Sequence, residues 1–366
     1  MLWKTYRDQF PVTRNLVYLN HASIAPLCPP AAEAMRQFAT DVQEYGSFHY
    51  PDWLNVYEGI RTATARMINA TRDEIAIVKN TSEGIATIAN GIDWRPGDRV
   101  VAFTEEFASN FFAWKYLEQR GVKVTWLSIF DDLNKVDEAC RGARLLAVSF
   151  VQYLSGFRAD LVAIGEICAR HSCLFFVDAI QGLGVFPLDV QAAKIDFLAA
   201  DGHKWLLGPE GCAALFVRGN RLEEVAPSEV GWVNMAKSAD YASRDMTWRH
   251  DAGRYECGTL NTIGCFGLHA ALNFVLDIGV ERIGPEVCAL ADRVWEGAKA
   301  KGYEMLGRRS PECAAGIVSF RKAGQEALGK RLKDAGFITA PRAGWIRVSP
   351  HFYNSPDDIE ALLTLL

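Results

Sequence analysis

The sequence predicts an α/β protein: a mainly parallel sheet with helices on both faces, followed by a smaller α+β C-terminal domain. Three observations lead there. Short apolar runs alternate with stretches of helical periodicity from residue 75 to residue 218. Several of those runs stop abruptly at polar residues, as buried parallel strands do where they deliver side chains at their carboxyl edge. The chain has 366 residues, more than one core usually supports. Two domains are therefore expected, a large one over 16–250 and a small one built from 1–15 and 251–366.

In order, Trp3 to Pro11 reads as a short helix and Leu16-Val-Tyr-Leu as a strand. The strand runs into Asn20-His-Ala-Ser-Ile-Ala-Pro, a turn-rich segment of small side chains. Pro29 opens a helix at a position where the first turn tolerates proline. A second helix spans Asp52 to Asn69, and Ile75-Ala-Ile-Val-Lys is a strand. Asn80-Thr-Ser-Glu-Gly-Ile-Ala then begins a periodic apolar helix, where Thr81 and Ser82 serve either as ordinary caps or as part of a phosphate cup with the free amides of the first turn. Strands follow at Arg99-Val-Val-Ala-Phe, Val124-Thr-Trp-Leu and Leu145 to Val151, with helices from Asp132 to Arg141 and from Leu161 to His171.

Two runs carry the chemistry. Leu174-Phe-Phe-Val-Asp-Ala-Ile-Gln-Gly delivers Asp178 and, one turn on, Gln181. Asp196-Phe-Leu-Ala-Ala-Asp-Gly-His-Lys-Trp-Leu-Leu-Gly-Pro-Glu-Gly delivers Asp201, His203 and Lys204. A lysine between histidine and tryptophan, just past an apolar strand, is poorly placed as a solubilising charge. A buried lysine of lowered pKa suits Schiff-base chemistry, and pyridoxal phosphate (PLP) enzymes pair such a lysine with an acid for the ring nitrogen. Taken singly, Lys204 also reads as a structural lysine and Asp178 as a helix cap. After Cys212 to Arg218, a last strand of this series, Pro227 to Asp245 is irregular. Helices at Ile263–Ile278 and Ile283–Gly302 and strands at Gly316–Phe320 and Trp345–Ser349 make up the remainder.

Composition narrows the partners. The net charge of −5 and the absence of basic clusters argue against nucleic acid. Nine scattered cysteines, none in C-x-x-C spacing, argue against a zinc site and a disulfide framework, so no metal is expected and a reducing, cytoplasmic setting is. The opening residues lack the apolar core of a signal peptide, and no run reaches the roughly 18 apolar residues of a membrane span.

Strand-Asp-x-x-Gln, then strand-x-Gly-His-Lys with Gly-Pro-x-Gly, resembles the class V aminotransferase family of fold-type I PLP-dependent transferases. That group holds cysteine desulfurases, kynureninases and isopenicillin N epimerase-like proteins. The resemblance runs from Tyr18-Leu-Asn-His-Ala-Ser to Arg347-Val-Ser-Pro-His-Phe-Tyr-Asn. It implies a seven-stranded sheet, PLP as cofactor, Lys204 as the Schiff-base lysine and Asp178 as the acid on the ring nitrogen. It further implies that Gln181 meets the phenolate oxygen and that Thr81, Ser82, Asp201 and His203 hold the phosphate or adjacent groups, although family members often carry serine at the Asp201 position. Phe107 falls where cysteine desulfurases stack a histidine on the ring; its alternative is plain core packing. Tyr153 falls where an asparagine often approaches the phenolic oxygen. Ala22 and Ser23 become substrate contacts, and Arg347 grips the substrate carboxylate unless it is an ordinary strand arginine. Thr259, in Arg254-Tyr-Glu-Cys-Gly-Thr-Leu-Asn, is implied to reach the phosphate of a neighbouring subunit, making a homodimer with sites at its interface; a helix cap is the other reading.

The reaction is less determined. Desulfurases use a cysteine on a mobile loop shortly before the carboxylate-binding arginine, and here none follows Cys313. Desulfuration by that route is disfavoured, which leaves transamination, epimerisation or elimination such as C–S lysis. An aminotransferase-like enzyme acting on the Cα of an amino acid is the reading preferred at this point. A catalytically silent PLP-fold binding protein is the alternative of another class. A Rossmann dehydrogenase finds no G-x-G-x-x-G at a first strand–helix turn.

Overall fold

Apolar runs buried along their whole length form the centre of the molecule, as expected of strands covered on both faces. The computed structural model describes residues 1–366. Its first half comprises α1 (Trp3–Tyr6), β1 (Val17–Tyr18), α2 (Pro29–Tyr45), α3 (Tyr50–Ile68), β2 (Ile75–Val78), α4 (Thr81–Gly91), β3 (Arg99–Phe103), α5 (Ala108–Tyr116), β4 (Lys123–Leu127), α6 (Leu133–Cys140), β5 (Leu145–Ser149) and α7 (Leu161–Arg170). There follow β6 (Leu174–Asp178), β7 (Phe197–Asp201), β8 (Ala213–Val217), α8 (Thr262–Ile278), α9 (Val280–Ala300), β9 (Glu304–Met305), β10 (Val318–Arg321), α10 (Gln325–Asp334), β11 (Phe337–Ile338), β12 (Ala340–Arg342), β13 (Trp345–Val348) and α11 (Pro356–Leu365).

The main sheet has seven strands in the order β2-β8-β7-β6-β5-β3-β4. Only β8 runs against its neighbours; the pairs among β3 to β7 are parallel. Alternate side chains feed two separate cores, as strand geometry requires. Along β6, Phe175 and Val177 join the larger core while Leu174 and Phe176 join the smaller one on the other face.

A four-stranded antiparallel sheet, β12-β13-β10-β9, packs with α9, α10 and α11 around a third core that includes Leu290, Val318, Phe320, Leu332 and Leu362. β1 pairs in parallel with β11, Val17 opposite Phe337 and Tyr18 opposite Ile338. This pairing takes residues 17–18 to the C-terminal side, whereas the sequence places the start of the large domain at 16. α8 contributes Cys265, Leu268 and Val275 to the larger core. We therefore propose a division after Ile278 rather than at 250. No single helix is long and apolar enough to cross a membrane.

Candidate active site

Four loops converge at the carboxyl edge of the main sheet, where open α/β sheets bind their ligands. β6 ends in Asp178, buried, with Oδ1 accepting from the Ile180 amide at 3.1 Å. Oδ2 has no donor within the protein. Burial pushes the Asp178 carboxyl up to about 6, against the pull of that amide and of Lys204.

β7 ends in Asp201 and turns sharply. Leu207 sits in the left-handed region at φ 58°, which a branched side chain rarely adopts. The turn is held by Leu207 N donating to Lys204 O at 3.1 Å, Gly208 N to Gly202 O at 2.8 Å, and Ala25 N to His203 O at 2.8 Å. Trp205 anchors it from inside, its Nε1 donating to Gln181 Oε1 at 2.8 Å. Lys204 is thus fixed on both sides while its amine projects into the cleft. Burial lowers that amine to about 8; Asp178 raises it, and Arg347 and Arg342 lower it further.

The cap of α4 is Asn80, whose side chain accepts from Glu83 N at 2.9 Å. Thr81 and Ser82 are therefore not caps. Thr81 Oγ1 accepts from Asp201 N at 3.0 Å, and Ser82 Oγ meets Ser109 Oγ at 2.6 Å at the start of α5. α4 packs so closely on β7 that a Cβ at Gly84 would lie 2.7 Å from Ala199 Cβ. The Asp201 carboxylate lies 3.1 Å from His203 Nδ1.

Phe107 precedes α5 and is 38% exposed, so it is not a core residue. Its ring lies 5.7 Å from Lys204 Nζ and meets Tyr153 edge-on at 5.3 Å. The neighbouring Glu106 is buried, and Ser149 N and Gln152 Nε2 donate to its Oε1 at 2.7 and 2.9 Å. Burial raises the Glu106 carboxyl to about 7.

On the opposite wall, Arg347 of β13 is fully buried. Its Nη1 donates to Tyr153 O at 2.7 Å and its Nη2 to Ser23 Oγ at 2.6 Å, while Nε has no partner. Arg342 of β12, which the sequence did not single out, donates to the same hydroxyl at 3.2 Å. Ala22 has both backbone polar groups engaged: its carbonyl accepts from Gln181 Nε2 at 3.0 Å and its amide donates to Ser349 Oγ at 3.0 Å. Its methyl group joins the larger core, and the residue is 1% exposed. Gln181 keeps one amide hydrogen free.

Thr259 makes no side-chain hydrogen bond to these residues, although it lines a cavity of 210 Å³ with Lys79 and Glu83. It also borders a cavity of 360 Å³ with Tyr57, Arg61, Trp232 and Tyr241. The cap of α8 is Asn261, accepting from Gly264 N at 3.3 Å, so Thr259 has no capping duty.

The donor set fits pyridoxal phosphate. One oxygen of the buried Asp178 carboxylate lacks a donor, a lysine amine of lowered pKa and an aromatic face stand in the same site, and two hydroxyls that do not cap the helix stand at its N-terminus. Together with the sheet they define a fold-type I PLP enzyme.

The chain belongs to the aminotransferase class-V family, whose family model matches residues 17–362. A probable cysteine desulfurase of Methanothermobacter thermautotrophicus is 30% identical over 387 residues, with 97% of this chain and 95% of the relative covered. The apo structure of a cysteine desulfurase from Thermococcus onnurineus superposes with a TM-score of 0.92 at 26% identity, covering 99% and 96% of the two chains. A cystine C–S lyase in complex with its product, cysteine persulfide, gives 0.89 at 25% identity, covering 97% and 98%. The protein is an enzyme that uses pyridoxal phosphate. These three proteins are named for carbon–sulfur chemistry, the class of reaction that the residues left as the alternative to transamination, whereas a Bacillus subtilis relative, 28% identical over 358 residues, is named an uncharacterized aminotransferase.

Proposed function

We propose that the enzyme cleaves a carbon–sulfur bond by elimination from an amino acid carrying a second anionic group, and releases the sulfur product without storing it on a cysteine of its own. The observation that carries this reading is the meeting of Arg342 and Arg347 on the Ser23 hydroxyl. Two guanidinium groups on one wall suit a ligand with two acid groups. The turn between β12 and β13 supports the second half. It is only Ala343-Gly344, both left-handed at φ 47° and 79°, a tight hairpin with no cysteine after Cys313 in the chain. The relatives named as cysteine desulfurases and the neighbour named as a cystine C–S lyase support carbon–sulfur cleavage.

Bound pyridoxal phosphate supplies a sink for negative charge developing at the substrate Cα. Lys204 would anchor it and, once freed by the substrate amine, take the Cα proton; with its pKa near 8, a share of the amine is neutral at pH 7. Asp178, ionised above about pH 6, would keep a proton on the ring nitrogen. Gln181 would use its free hydrogen on the phenolate oxygen, and Phe107 would stack on the ring without carrying a proton. Thr81, Ser82 and His203 would hold the phosphate, with Asp201 orienting His203. Arg347 would leave Ser23 for the α-carboxylate, Arg342 would take the second acid group, and Ala22 would offer only van der Waals contact. As the Cα proton reaches Lys204, the Cβ–S bond breaks and its electron pair leaves with sulfur.

We also propose that Thr259 completes the phosphate site of a partner subunit in a homodimer. Tyr241, Trp232 and Tyr50, which line the 360 Å³ cavity with Thr259, are 75%, 44% and 39% exposed, and such a surface favours burial. All nine cysteines are unpaired, which suits the cytoplasm.

The test supplies holoenzyme with cystine, cysteine, or an amino acid plus a keto acid. Pyruvate, ammonia and persulfide from cystine are expected. Amino-group exchange with no sulfur release would establish transamination instead, and a protein showing no borohydride-sensitive visible band would be a silent relative.

A further inference from the structure

At the other end of β6, three thiols meet in the core. The sulfur atoms of Cys140, Cys168 and Cys173 all lie within 4.8 Å of one another, and the residues are 0, 1 and 4% exposed. Cys140 ends α6, Cys168 lies in the last turn of α7, and Cys173 immediately precedes β6. Their positions are clamped. Cys173 N donates to Cys168 O at 2.9 Å through a turn in which Ser172 takes φ 53°. Asp137, on α6, holds Arg170 at 2.5 Å and His171 Nε2 at 3.0 Å. His171 is thereby committed elsewhere, and no fourth histidine, cysteine or carboxylate joins the three sulfurs. Asp178 is five strand residues from Cys173, roughly 17 Å at about 3.3 Å per residue. The cluster therefore takes no part in the chemistry at Lys204.

A cysteine alone in a core packs as a small apolar residue, but three sulfurs within 4.8 Å of one another form a ligand set. Zinc in a structural site takes four ligands, and this set has three. Three thiolates around a monovalent or divalent ion would also leave net negative charge among Val136, Leu161, Ile167 and Phe175, which line the same core; uncompensated buried charge is costly. A trivalent thiophilic element leaves none.

We propose that Cys140, Cys168 and Cys173 form a trithiolate site for a trivalent thiophilic element, with arsenite as its probe. The exchange balances without an oxidant. Arsenous acid gives up three As–OH bonds, each thiol forms one As–S bond, three waters leave, and the site stays neutral.

The experiment incubates holoenzyme with arsenite, removes the excess by desalting, and measures retained arsenic and its coordination by X-ray absorption. One arsenic per chain with three sulfur neighbours is expected. Cys140→Ser, Cys168→Ser and Cys173→Ser should each lower retention about tenfold or more, equivalent to at least about 1.4 kcal/mol of binding, whereas Cys212→Ser should leave it unchanged. Cys212 and Cys265, with sulfurs 3.7 Å apart, are the competing dithiol. Two-sulfur coordination, dependence on Cys212, or no retained arsenic would overturn the assignment. The coordination number is read on the unsubstituted enzyme, so it decides even if a serine variant does not fold.

Discussion

Arg347 Nη2 donates to Ser23 Oγ at 2.6 Å, joining residues 324 positions apart in the chain across the mouth of the cleft. The bond occupies a buried guanidinium with a neutral acceptor, which a carboxylate can replace with a charge-assisted one. Hydrogen bonds to charged groups contribute about 1.5–3 kcal/mol, so Arg347→Ala should raise KM about 10- to 100-fold for every amino-acid substrate. Arg342→Ala should raise it by a similar factor only for substrates with a second acid group. Steady-state kinetics on cystine and on cysteine separate the two; equal losses on both substrates for Arg342→Ala would remove it from substrate selection.

Lys204 is pulled in opposite directions. Burial and the two arginines lower its pKa, Asp178 raises it, and the outcome is about 8. The rate at which apoprotein captures pyridoxal phosphate should therefore rise with pH through about 8, as the amine loses its proton. Asp178→Asn removes the raising influence and should move the midpoint down; Arg347→Ala removes a lowering one and should move it up. For stability the sign follows from a depressed folded pKa. The contribution of Lys204 is present above its usual 10.5 and lost as pH falls through about 8. Stopped-flow absorbance gives both midpoints, and shifts of the same sign in the two variants would contradict this account.

Much of the site was legible because strand ends point their polar residues at one edge: Asp178, Asp201 and Lys204 follow apolar runs that could be little else. Arg342 was not, since Pro341-Arg-Ala-Gly reads as a turn. Once Ala343-Gly344 is recognised as a two-residue hairpin, Ala340 faces Arg347 and Arg342 faces Trp345. Cross-strand partners share a face with every second residue, so both arginines lie on one side. Asn80 and Asn261 take the capping roles because each stands just before its helix with an amide oxygen free to accept, which leaves the nearby hydroxyls of Thr81, Ser82 and Thr259 without that duty. β1 was recognised as a strand, but its partner, β11, lies more than 300 residues away, beyond the reach of any local pattern.

Glu106 offers a stability test. Its carboxyl is raised by burial to about 7 from a usual 4.5, so the native state binds the proton more tightly. The associated stability is fully present below about 4.5 and is lost as pH rises through about 7; at about 1.36 kcal/mol per unit it amounts to about 3 kcal/mol. Glu106→Gln keeps an acceptor for Ser149 N and Gln152 Nε2 but never ionises. Denaturant titrations of apoprotein between pH 5 and 8 should show the wild type losing stability relative to the variant. Parallel profiles would mean that the carboxyl is ionised, or neutral, throughout that range.

Gly84 tests whether the proposed phosphate end of the site is set by packing. A methyl group there would meet Ala199 Cβ at 2.7 Å, too close for either atom, and Ala199 belongs to a central strand that cannot retreat. Gly84→Ala must then lift the first turn of α4, three residues from Thr81, and stretch the bond from Asp201 N to Thr81 Oγ1. Overpacking of this kind costs about 1–3 kcal/mol, and pyridoxal phosphate should be lost more readily on dialysis. Ala199→Gly in the same chain removes the opposing methyl and should restore cofactor retention, with a favourable coupling energy in the double-mutant cycle. If the double variant only adds the two single losses, the glycine is there for a reason other than the approach of helix to strand.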